Sequence, residues 1–192
     1  MRFFTILQKV TLARSIAERA WRFAKEVTPT TNYSDSKQTH PEKIRLDHFK
    51  SKLGEEAVYT VLSEYGAVLP PDYSIYEAKQ KSWDSDLYFE NTGIAVKTML
   101  RSSAKLYGLS WVFQSGNQRR DIILDKPEAW VFFVECNDTR SNRNIYELYV
   151  YPPYQMKELS FGDPKRTDLI GRKLVVYADG LPGIENGKNR EL

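Results

Sequence analysis

The chain has 192 residues, with 28 lysines and arginines against 25 aspartates and glutamates. That length suits one domain with a real core, and a balance so close to neutral neither demands nor excludes a nucleic-acid partner. The single cysteine, Cys136, excludes an internal disulfide framework, and the two histidines, His40 and His48, lie in no Cys/His pattern, which argues against a structural zinc site and against Ser-His-Asp or Cys-His catalysis.

The opening MRFFTILQKV holds an apolar run of only about five residues, short for a secretory core, and nowhere do roughly 18 apolar residues run together. The expectation is a soluble cytoplasmic protein, or one inside the host cell if the source is viral, with no membrane partner. Ile6, Val10, Ala13, Ala17, Ala20 and Ala24 recur at three- and four-residue spacing, which predicts a helix from Phe3 to Lys25 with Arg14, Arg19 and Arg22 off its apolar stripe. Residues 1–28 then form an N-terminal helical extension, a candidate element for homodimerisation or for contact with a DNA backbone. The polar stretch TPTTNYSDSKQTHPEK, with Pro29 and Pro41, reads as the loop that bounds it.

A second helix is expected from Pro41 or Glu42 to Tyr65, closed by Gly66 in the left-handed conformation. YSIYEA, SDLYF and GIAVKTM follow as strands, then a polar segment, then LSWVFQ, AWVFFVEC and NIYELYVY as strands, a short helix at YQMKELS, and a last strand KLVVYA. Helix, several strands, then mixed elements is an α+β pattern with an α/β-like core: a central mixed sheet flanked by helices over 42–182, with a flexible Gly-rich tail over 183–192.

Two adjacent glutamates on the second helix are separated by helical geometry. Glu55 is followed by Val58, Tyr59 and Leu62 on the core-facing stripe, whereas Glu56 is followed by Tyr59, Thr60 and Ser63 on a wetter face. A carboxylate on the apolar stripe needs a partner, so Glu55 is the site candidate and Glu56 a surface residue. Downstream, a turn centred on Asn91, Thr92 and Gly93 sets Leu87 opposite Val96 and Asp86 opposite Lys97. Alternation then puts Asp86, Tyr88, Ala95 and Lys97 on one face. If Glu55 approaches that face, two carboxylates and one ammonium converge, a set that suits Mg²⁺ with waters and a backbone carbonyl. The plain alternative is a cross-strand Asp86–Lys97 ion pair.

The order GEEAV on a helix, then DSDLYF, then IAVKT resembles the PD-(D/E)XK nuclease superfamily, the restriction-endonuclease-like proteins, over residues 49–114. The resemblance implies a DNA endonuclease fold in which Glu55 is the helix acid, Asp86 the metal ligand and Lys97 the catalytic lysine, with Glu55 and Asp86 holding Mg²⁺ or, in its place, Mn²⁺. Ala95 stands where the family usually has Glu or Asp. That departure puts more weight on Glu55, and it also fits an inactive relative that binds nucleic acid or serves in assembly. Asp84, at the same strand parity as Asp86, is a supporting oxygen donor. The letters of PDYSIYEAK also match the motif, but Asp72 is too close to Glu77 and Lys79 for two paired strands.

Past the lysine, Arg101, Ser102, Ser103 and Lys105 are candidates for phosphate contact, as are Arg119 and Arg120 beside Lys126. Arg140, Asn142 and Arg143 form a further polar cluster, and Gln114 is a supporting residue on the next strand. Solvated surface is the plain reading of such clusters. Trp83, Trp111 and Trp130 read as packing residues.

Overall fold

A computed structural model describes residues 3–30, 40–76, 85–117, 119–138 and 146–183. In chain order these carry β1 (Gln8–Leu12), α1 (Arg14–Val27), α2 (Pro41–Leu62), β2 (Leu87–Phe89), β3 (Thr92–Leu100), α3 (Arg101–Tyr107), β4 (Ser110–Gly116), β5 (Arg119–Arg120), β6 (Trp130–Asn137), β7 (Tyr146–Val150), β8 (Tyr154–Gln155) and β9 (Lys173–Tyr177). Glu77, Lys79, Trp83, Asp84, Arg140, Asn142, Arg143 and the tail beyond Gly183 lie outside the described residues. No helix of the described residues is long and apolar enough to cross a membrane.

The chain is an α+β protein. Its main sheet runs β1-β7-β6-β3-β2, with β8 also pairing β6, and a second sheet runs β5-β4-β9. The main sheet is mixed, because β3 and β6 are parallel while β1 with β7, β6 with β7 and β2 with β3 are antiparallel. β6 sits at its centre, and Val131, Phe132, Phe133 and Val134 are all fully buried, as a strand covered on both faces requires. Phe132 and Val134 join Ile94, Val96, Leu53, Ala57 and Val58 in the core between sheet and helices. Val131 and Phe133 join Trp111, Phe113, Tyr154 and Val176 in a second core between the two sheets. Helices α1 and α2 therefore cover one face of the main sheet and the small sheet covers the other, so the expected flanking by helices holds on one face only.

Helix α2 lies directly on β3. A Cβ at Gly54 would fall 1.9 Å from Thr98 Oγ1, so only glycine permits this approach. The predicted helix from Phe3 begins instead at Arg14, and residues 8–12 form β1, an edge strand with Val10 opposite Leu148. Val10 and Leu12 are buried while Lys9 and Thr11 are exposed, the period-two pattern of a half-covered strand. The N-terminal segment is thus woven into the sheet, and α1 packs beside α2 rather than forming a helix from the start of the chain.

Other expectations shift at element ends. Helix α2 closes at Leu62, and Gly66 is not left-handed; its lack of a side chain matters because a Cβ there would meet the Phe89 ring at 2.8 Å. The described part of YSIYEA, 73–76, makes no strand. Asp72 holds it in a turn by accepting hydrogen bonds from the Ser74 N–H at 2.8 Å and the Tyr76 hydroxyl at 2.6 Å. The polar segment after β3 is helical as α3, and Arg119 and Arg120 form the short strand β5 rather than loop. Pro152 and Pro153 interrupt the strand that pairs β6, separating β7 from β8, since neither can donate to the ladder.

Candidate active site

The β2–β3 hairpin turns on Glu90 and Asn91, with φ of 45° and 66°, the left-handed pair of a two-residue primed turn. Its register is Leu87 opposite Ile94, Tyr88 opposite Gly93 and Phe89 opposite Thr92, two residues away from the pairing read around Asn91, Thr92 and Gly93. A two-residue shift preserves the faces. Leu87, Phe89, Ile94 and Val96 still point into the core beneath α2, and Asp86, Tyr88, Ala95 and Lys97 still share the parity of the other face. What changes is the partner across the ladder, since extending the register sets Ala95, not Lys97, opposite Asp86.

Asp86 is exposed at the edge of β3 and accepts a hydrogen bond from the Val96 backbone N–H through Oδ2 at 2.7 Å. Beyond Ile94 no described strand pairs that edge, so the side chain takes the place of a ladder partner. Lys97 reaches toward the small sheet. Its Nζ donates to Asp121 Oδ2 at 2.6 Å and lies 4.8 Å from the centroid of the Phe113 ring. The same Asp121 oxygen accepts the Gln114 backbone N–H at 3.2 Å, and the Asp121 N–H donates to the Gln114 carbonyl at 2.9 Å. Gln114 thus supports the pair through its backbone. Asp121 is the residue that sequence reasoning missed; its one local signal is an acid placed just before the apolar helical turn Ile122–Asp125.

Glu55 belongs to a different neighbourhood. It is buried, and Oε2 accepts from Lys52 Nζ at 2.5 Å, while that ammonium lies 4.9 Å from the Phe23 ring centroid and 5.4 Å from that of Tyr73. Helix α2 packs on the face of β3 that carries Ile94 and Val96, whereas Lys97 points to the face packed by Phe113. The two residues thus pair differently, Glu55 with Lys52 and Lys97 with Asp121. Glu56 also departs from expectation, being 2% exposed rather than on the surface. It accepts hydrogen bonds from the Arg19 guanidinium and, at 2.8 Å, from the Tyr73 hydroxyl, because α1 and the Tyr73 segment cover the outer side of α2. Burial and the adjacent Glu56 carboxylate push the Tyr73 hydroxyl well above the usual phenol range.

Several phosphate-contact candidates are engaged within the fold. Arg101 pairs with Glu135 at 2.6 Å and lies 5.0 Å from the Tyr149 ring centroid. The Ser102 N–H donates to Asp138 Oδ1 at 2.8 Å, and its hydroxyl donates to Oδ2 of the same residue. Arg120 is bidentate to Asp125, at 2.8 and 3.1 Å. Lys105 is exposed, Ser103 is half-buried, and Arg119 lies in the electrostatic neighbourhood of the half-buried Lys173.

Among the described residues no three His, Cys, Asp or Glu side chains gather into a metal cluster. Of the pair implied by the resemblance, Glu55 accepts from Lys52 on the helix side and Asp86 accepts from the Val96 N–H. Asp121 accompanies Lys97 and Asp86 shares the parity of that face, and one or two carboxylates completed by waters and substrate phosphate oxygens form a set that Mg²⁺ accepts. No family model, curated protein or solved structure matches the chain.

Proposed function

We propose that the chain hydrolyses phosphodiester bonds in DNA as a Mg²⁺-dependent endonuclease of restriction-endonuclease-like fold, with Asp86, Lys97 and Asp121 as its reacting group. The observation that carries this reading is the Lys97 ammonium held 2.6 Å from Asp121 on the face whose parity Asp86 shares. Asp86 and Asp121 would hold the cation, whose chemistry would be Lewis-acid polarisation of the scissile phosphate. Lys97, steadied by Asp121 and by the Phe113 ring, offers its donors to the negative charge that builds on the phosphate oxygens.

A second reading, a non-catalytic nucleic-acid-binding or assembly protein, draws on Ala95 in the usual acid position and on the burial of Glu55 against Lys52. The test is incubation of supercoiled and linear DNA with the purified chain in Mg²⁺, in Mn²⁺ and in chelator, alongside Lys97→Ala and Asp86→Ala. Cleavage that needs the metal and is lost in both variants supports the nuclease. Cleavage that survives both removes this site, and DNA binding without cleavage favours the second reading.

A further inference from the structure

Arg101 directly follows β3 and opens α3. Register places it with the site. On the parallel strand β6, Phe133 stands beside Lys97 and Glu135 beside Met99, so Glu135 shares the face of Lys97, one strand across and two residues along, with about 8 Å between the Cα atoms. Glu135 in turn lies opposite Tyr149 on β7. The Arg101 guanidinium reaches over both: Nε donates to Glu135 Oε1 at 2.6 Å, and the guanidinium carbon lies 5.0 Å from the Tyr149 ring centroid. The next residue, Ser102, donates its N–H to Asp138 Oδ1 at 2.8 Å, which ties the first turn of α3 to the end of β6.

Exposure separates the two members of the ion pair. The Glu135 side chain is 10% exposed and that of Arg101 33%, so an incoming group meets the guanidinium and not the acid beneath it. Nε is the atom committed to Glu135, and the two terminal nitrogens carry the rest of the planar fork, a shape that suits phosphate oxygens.

We propose that Arg101 binds the DNA phosphate next to the scissile one, with Glu135 and Tyr149 positioning its guanidinium. The inference rests on the reading of the chain as a protein that acts on DNA at Lys97, and it gives the substrate strand a direction: along β3, from the Lys97–Asp121 pair toward the start of α3. Such a contact holds the strand in place without reading its bases.

The experiment is fluorescence anisotropy of a short labelled duplex in chelator, titrated over a range of salt, with Arg101→Met, Arg101→Lys and, as a control, Lys157→Met. Lys157 pairs with Glu128 at 2.7 Å on the surface, just past β8, which joins the opposite end of β6. Arg101→Met leaves Glu135 without its cation, so the double variant Arg101→Met/Glu135→Gln, which removes both charges, is measured beside it. Both should weaken binding by about three- to ten-fold and flatten the log–log salt dependence by about 0.9, the value of one duplex phosphate. Arg101→Lys should keep the wild-type salt slope, because the charge remains, and lose affinity by about two- to three-fold, because the fork is gone. An arginine that only joined α3 to β6 would shift the melting temperature and leave the salt slope where it is. Lys157→Met should bind as the wild type does. Wild-type affinity and slope in the double variant, an equal loss in Lys157→Met, or no DNA binding by the wild type overturns the proposal. The nuclease reading fails separately: weakened binding and a flatter slope in the Arg101→Met variants, together with a wild type that never cleaves, leave the phosphate contact standing.

Discussion

Lys97 is joined to Asp121, 24 residues along the chain, and not to Asp86 across the hairpin. The bond crosses from β3 to the residue that directly follows β5, so it ties the main sheet to the small sheet at a point where the lysine side chain is three-quarters covered, with 24% of it exposed. An ammonium so placed is oriented before any substrate arrives.

That relationship makes Asp121 a test of the proposed chemistry. In metal-activated plasmid nicking, Asp121→Asn should lower turnover by at least about a hundred-fold, the scale of losing one preorganised electrostatic group. Lys97→Arg should not rescue Lys97→Ala, because a planar guanidinium cannot reproduce a point charge stacked on Phe113. Full activity in Asp121→Asn would show that the acid serves only to join the two sheets.

Glu55 carries the contrary expectation. Its carboxylate pairs with Lys52 in a buried setting, so Glu55→Ala leaves an ammonium uncompensated and should cost about 3–5 kcal/mol of stability in urea unfolding. The milder Glu55→Gln should retain turnover within a few-fold, provided the assay is run well below its melting temperature. Loss of activity in a fully folded Glu55→Gln would return the residue to the site.

The elements nearest the site are legible in the sequence because each carries its pattern locally. VFFV, a short run of β-branched and aromatic residues, suits a strand covered on both faces, and the hairpin faces hold despite the shifted register because a slip of two residues leaves parity untouched. What is not legible depends on distant partners. The spacing of Ile6, Val10, Ala13 and Ala17 runs unbroken across the β1–α1 boundary, and only the edge offered by β7 decides that Gln8–Leu12 is extended. Helical periodicity separates Glu55 from Glu56 but is silent on α1, which covers the wetter side of α2. Asp121 bears no local mark of its partnership with Lys97, since the pairing exists only after β4 has folded across the sheet.

The close approach of Gly54 to Thr98 yields a prediction about packing. Gly54→Ala would gain up to about 1 kcal/mol of helix propensity, but the new methyl group meets Thr98 Oγ1, and overpacking costs about 1–3 kcal/mol. Net destabilisation is expected in chemical denaturation, and Thr98→Ala should recover most of it in the double variant by removing the hydroxyl that clashes. Thr98 Oγ1 is buried without a hydrogen-bond partner among the described residues, so Thr98→Val alone should be neutral or stabilising. A double variant no more stable than Gly54→Ala would mean that α2 shifts as a body instead.

Cys136 offers a probe of the same core from the β6 side. The thiol is buried, and burial first, then the Asp138 and Glu135 carboxylates, push it from 9.0 up to about 12. The folded state therefore holds its proton over a pH range in which the unfolded state has lost it, and stability from this group is present below the unfolded value and declines as pH rises from about 9 toward 12. The folded thiol is ionised far less than that of the unfolded chain, and the core excludes the reagent as well. Labelling with a thiol reagent such as DTNB should consequently follow global unfolding, with a rate that rises with urea in step with the loss of tryptophan fluorescence. Rapid labelling in native buffer would show that the end of β6 opens independently of the rest of the sheet.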